Sequence, residues 1–162
     1  MYKIGDYVIY KKEACKIKDI KEKYINNLDY YILNPIDDES LTLNVLFQDK
    51  NNLRDLISKQ ELEKIISNIP NIPTIDCPDR FLETEYKTLL QSGDHTNYIK
   101  IIKTSYLRNK NRLVNKKKIS DKDNKYFQLA ERYLYNEFSI VLNKTYEETK
   151  EYVIEKVKKL GA

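Results

Sequence analysis

Glycine is scarce in this chain, with only Gly5, Gly93 and Gly161, and no two of them lie close together. A loop that cradles phosphates on backbone amides needs several neighbouring glycines, so P-loop and dinucleotide fingerprints are excluded. Tryptophan is absent and histidine occurs once, as His95, directly after Gly93-Asp94. A lone histidine at a helix entrance reads as a solvent-exposed or capping residue rather than a general base. No Ser/His/Asp or Cys/His arrangement has a local signature. The acidic pairs Asp37-Asp38 and Glu147-Glu148 fall in a turn and a helix start, where carboxylates are expected anyway. Cys15 and Cys77 match no metal-ligand spacing and are expected to be free thiols of a reducing cytoplasm. No apolar run approaches the ~20 residues of a membrane span, and no apolar signal segment follows Lys3. These absences point to a cytoplasmic binding protein without catalytic residues, cofactor, metal, membrane contact or small-molecule substrate.

Charge is present in quantity and unevenly placed. Residues 1–75 hold 11 cations against 12 acids, and residues 76–162 hold 18 against 13. Between Tyr98 and Lys125 there are ten cations and two acids. Such asymmetry fits a C-terminal half that meets a polyanion, the alternative being a solvated face in a Lys- and Asn-rich chain.

The pattern predicts an α+β chain in two parts. Tyr7–Tyr10, Ala14–Glu22, Leu28–Leu33 and Leu41–Phe47 are short β-prone runs separated by turn-like clusters, and Asn51–Asp55 can add a fifth strand. Closely spaced strands of this kind predict a small Tudor-like or SH3-like barrel over residues 1–55, packed by Val8, Ile17, Tyr31, Leu43 and Val45. Residues 56–78 read as a connecting helix capped by Ser58, then a proline-containing linker. Residues 79–162 carry four helical stripes, the last opened by a Thr145–Glu148 capping box. Leu89, Ile102, Leu134, Phe138 and Val157 are expected to pack this helical domain.

Several segments, in order, resemble one family. Gly5-Asp6-Tyr7-Val8-Ile9-Tyr10 is similar to the opening of the CarD-like bacterial transcription factors. Leu41-Thr-Leu-Asn-Val45 resembles the family's last barrel strand, and Asn52-Leu-Arg-Asp-Leu-Ile-Ser58 its exit into the first helix. Leu90-Gln-Ser-Gly-Asp94 resembles a Leu-x-Ser-Gly-Asp helix junction. Ile119-Ser120 with Lys125-Tyr-Phe127, and Ala130-Glu-Arg-Tyr-Leu134 through Glu137, resemble two later helical segments.

The resemblance implies a barrel that binds the β subunit of RNA polymerase. It also implies a helical domain that touches promoter DNA at the upstream edge of the transcription bubble and modulates open-complex stability. The family's polymerase-contacting arginines fall here near Lys23 and at Asn44, where the bidentate fork of arginine is lost. The family tryptophan that wedges against the minor groove falls near Asp79, with Phe81 the nearest aromatic able to present a flat apolar face. Arg80, Phe81, Lys100, Lys103, Arg108, Lys122 and Lys125 are the expected DNA-contacting residues, the lysines and arginines touching phosphates without reading sequence. Two other readings stand beside this one: a polymerase-binding adapter without DNA contact, and a free-standing non-specific nucleic-acid binder.

Overall fold

The computed structural model describes residues 1–161. An N-terminal antiparallel sheet is followed by five α-helices, so the chain is α+β. The strands are β1 (Tyr7–Tyr10), β2 (Glu13–Ile25), β3 (Leu28–Pro35), β4 (Leu43–Leu46) and β5 (Leu53–Arg54), in the spatial order β4-β3-β2-β1-β5. The expected barrel is not a closed ladder. β4 and β5 are the two edges of an open sheet, and β5, two residues long, pairs with β1.

Local chemistry explains the strand limits. Asn26 and Asn27 both take positive φ, 52° and 63°, between the paired residues Ile25 and Leu28. That is the backbone of a two-residue type I′ hairpin, for which asparagine is among the better residues. A bulge at Lys18 adds one residue to β2, so that Ile17 and Ile20 both reach the inner face although they are three positions apart. Leu41 stays outside β4 because its N–H is held in a turn by the Asp38 carbonyl at 3.2 Å. Val8, Cys15, Ile17, Tyr31, Leu33 and Val45 form the sheet's own core, with Leu43 partly buried against it. On the opposite face Ile9 and Ala14 are also buried.

The helices are α1 (Lys59–Asn68), α2 (Asp79–Gln91), α3 (His95–Val114), α4 (Asp121–Leu142) and α5 (Tyr146–Lys159). Side-chain caps at Ser58, Asp94, Ser120 and Thr145 satisfy first-turn amides, and the Thr145–Glu148 capping box is complete. Leu134 and Phe138 are core residues as expected, while Leu89, Ile102 and Val157 pack at its margin. The 56–78 segment is more than a tether: Ile57, Leu62, Ile66, Ile69 and Ile72 are buried in the same cluster as the later helices.

Sheet and helices are joined through α4 by two polar clamps. Glu137, 1% exposed, accepts from Arg54 through both carboxylate oxygens at 2.7 and 2.9 Å, and from the Ile57 N–H at 2.8 Å. His95 Nε2 lies 2.9 Å from the same carboxylate. His95 is therefore not the exposed or merely capping residue the sequence suggested; its ring stacks on Phe138 and its Nε2 meets the buried Glu137 carboxylate. In the second clamp Arg132 donates to Glu13 at 2.6 and 3.0 Å and to Asp37 at 2.6 Å, and Asn136 donates to Asp37 at 3.0 Å.

Candidate nucleic-acid interface

Arg108 organises one end of the helical domain. From α3 its guanidinium donates to Asp79 at the start of α2 and to Asp123 in the first turn of α4, each at 3.1 Å. Carboxylates at helix N-termini are favoured by the backbone dipoles, and one arginine here ties two such termini together. Asp123 is buried at 1% exposure and also accepts from the Tyr86 hydroxyl at 2.7 Å. Burial by itself lowers the Arg108 pKa, but bonding to Asp123 and Asp79 outweighs it, and the net direction is upward.

This node fixes what surrounds it. Arg80 and Phe81, one and two residues after Asp79, are both exposed, and the Arg80 guanidinium lies 4.8 Å from the Phe81 ring centroid. Phe81 is 52% exposed, so Leu82 and Tyr86 take the core positions of α2 and Phe81 does not. Lys122 and Lys125 flank Asp123 on α4 and are exposed. Tyr106, 54% exposed, stacks on Phe127 with 6.5 Å between centroids. The end of α3 is a defined turn: Lys116 adopts φ 59°, and the Lys117 N–H reaches the Arg112 carbonyl at 2.8 Å. Arg112 in turn donates to the Lys118 carbonyl at 2.7 Å, so the basic stretch 111–118 is folded back on its own helix.

The sequence-predicted cations thus divide by environment. Arg80, Lys122 and Lys125 are exposed beside the Arg108 node. Arg108, one-third exposed, is paired with both the buried Asp123 and the exposed Asp79. Lys103 is also engaged: its ammonium donates to the Ile69 and Ile72 carbonyls at 2.9 and 2.6 Å, tying α3 to the proline-containing segment. Lys100, earlier on α3, is half-buried and has no ion-pair partner among the described residues.

The two positions expected to face a polymerase lie on the sheet. Asn44 is exposed on β4, an open edge, opposite Ile32. Lys23 is at the far end of β2, in the left-handed region at φ 48°, with its N–H bonded to the Asp29 carboxylate at 3.0 Å. β3 lies between their two strands.

No protein-family model matches the chain, and no curated protein matches it. No helix among the described residues is long and apolar enough to cross a membrane. Sequence reasoning missed the roles of Arg54, Arg132 and Glu137, which bond to one another or to partners at least 42 residues away and leave no local spacing to read.

Proposed function

We propose that the protein is a CarD-like transcription regulator. Its N-terminal sheet, a Tudor-like module in this reading, docks on the RNA polymerase β subunit. Its helical domain contacts promoter DNA near the upstream bubble edge. The observation that carries the reading is that an exposed aromatic, Phe81, and the exposed cations Arg80, Lys122 and Lys125 lie within two residues of Asp79 or Asp123, the two carboxylates that Arg108 ties together. Cations that are not neutralised internally attract phosphates whatever the sequence, and an exposed ring among them is suited to press against an open base step. The open β4 edge, carrying Asn44, supports docking by strand addition, since its outer backbone groups are unpaired within the sheet.

The test uses full-length protein. Retention of the polymerase β subunit in a pull-down, together with a changed open-complex lifetime, is the expected result. Retention with no effect on promoter complexes favours an adapter without DNA contact. DNA binding with no β-subunit retention favours a free-standing nucleic-acid binder.

A further inference from the structure

A cavity of about 420 Å³ lies where three segments meet: the turn between β1 and β2, the residues leading into β5, and the turn between α2 and α3. Its charged lining has one sign only. Lys11, Lys12 and Arg54 line it, with the amides of Asn51, Asn52 and Gln91 around them and no aspartate or glutamate. The neighbouring carboxylates lie off this lining. Asp49 accepts from the Asn52 amide at 2.8 Å, Asp94 accepts from first-turn amides of α3, and Glu137 holds Arg54 from below. Arg54 donates through Nη1 to Glu137 and the Asp55 carbonyl and through Nη2 to Glu137, while its Nε–H has no acceptor among the described residues. The uncompensated charge comes from the two lysines. Lys12 is half-buried, and neither it nor Lys11 is in an ion pair among the described residues. A half-buried ammonium without a counter-ion carries a desolvation cost that a bound anion offsets.

We propose that this cavity binds a phosphate-bearing anion, held by Lys11, Lys12 and the Nε–H of Arg54. Phosphate oxygens accept several charge-assisted bonds at once, and the surrounding amides suit the oxygens that the cations leave free. No aromatic ring lines the cavity, so nothing there stacks a base, and the ligand is recognised through its phosphates. Because the walls come from both the sheet and the turn between α2 and α3, an anion seated here bridges the two parts beside the Arg54–Glu137 pair. This goes beyond the polymerase and DNA reading, since none of Arg80, Phe81, Lys122 and Lys125 lines the cavity.

The test is calorimetric titration of full-length protein, at constant ionic strength, with pyrophosphate, sulfate and a short oligothymidylate. The expected result is saturable binding of pyrophosphate, about tenfold tighter than sulfate, with a rise in melting temperature. Lys11→Asn, which suits the left-handed backbone at φ 56°, and Lys12→Gln are each expected to weaken it severalfold. Asn51→Asp places a carboxylate on the exposed lining and is expected to weaken it too, whereas Lys122→Gln leaves it unchanged. An oligothymidylate that displaces pyrophosphate and binds more tightly supports the site and assigns the phosphate to nucleic acid; one that fails to displace it supports a free small anion. Pyrophosphate binding that survives both lysine changes, or that is no tighter than sulfate, overturns the proposal. Absence of saturable binding for pyrophosphate and the oligonucleotide alike also overturns it.

Discussion

Glu137 and Arg54 form a bidentate ion pair across 83 residues of sequence, joining the last strand of the sheet to the middle of the helical core. The carboxylate is buried while the guanidinium is 40% exposed, so the pair is a partly solvated clamp. Its energetic weight lies in what is stranded when one partner is removed. Glu137→Gln leaves Arg54, His95 and the Ile57 amide without an anionic acceptor. A loss of about 2–4 kcal/mol is expected, reduced from a fully buried pair by the solvent reaching Arg54. Urea denaturation of the intact chain measures it, and a loss below half a kilocalorie counts against the clamp.

The same carboxylate sets an acid limit on stability. Burial by itself pushes Glu137 upward, but the bonds from Arg54 and His95 outweigh it and hold it at about 2, below its ordinary 4.5. A depressed carboxyl contributes stability that is whole above its unfolded value and is lost as pH falls through the folded one. Stability is therefore expected to decline between pH 4.5 and about 2. Asp37, where burial is likewise outweighed by Arg132 and Asn136, adds to the same slope. Glu137→Gln should flatten the decline without abolishing it, as followed by circular dichroism across that range.

Lysines of the helical domain should separate into two experimental classes. Lys103→Met removes two bonds to backbone carbonyls and is expected to cost about 1–2 kcal/mol of stability. Lys122→Gln and Lys125→Gln, both exposed, should leave stability within about 0.5 kcal/mol. Each of the latter should also reduce the salt slope of DNA association by about 1. An unchanged slope in both variants removes them from the interface.

Phe81 offers a sharper probe of the proposed wedge. Because its ring is half exposed and outside the core cluster, Phe81→Ala is expected to change stability by less than about 0.5 kcal/mol. Open complexes should nonetheless dissociate severalfold faster, and Phe81→Trp should restore or lengthen their lifetime. Identical lifetimes for all three proteins would remove Phe81 from the bubble edge.

The hairpin at Asn26-Asn27 can be improved. Asn27→Gly keeps the positive φ of 63° while removing the strain of a side chain there, and should stabilise the fold by about 0.5 kcal/mol. Thermal unfolding of the pair of proteins checks the sign.

What could be read from the sequence follows the range of the forces involved. Ser58, Ser120 and Thr145 announce helix starts because a cap and its amide lie within three residues. Val8, Ile17, Tyr31 and Val45 announce the inner face through alternation, a period set by the backbone itself. The Lys18 bulge breaks that period without any residue that signals it. Lys103 and Arg108 look like free cations in a basic run, and only the fold shows which carbonyls and carboxylates face them. His95 misleads, because it is an isolated polar residue that folding carries inward. Phe81 does not: the ring expected to present a flat apolar face is left half exposed.

Helix α4 carries both clamps in its C-terminal half, at Arg132, Asn136 and Glu137, and Lys122 and Lys125 at its other end. At 1.5 Å per residue, about 22 Å of unbroken helix separates Glu137 from Lys122. That helix is a ruler and a protractor at once. Its length sets the spacing between the sheet and the basic end, and its winding sets their relative azimuth at about 100° per residue. In the proposed reading, the surface held by the sheet and the surface met by the cations are then fixed at one distance and one bearing.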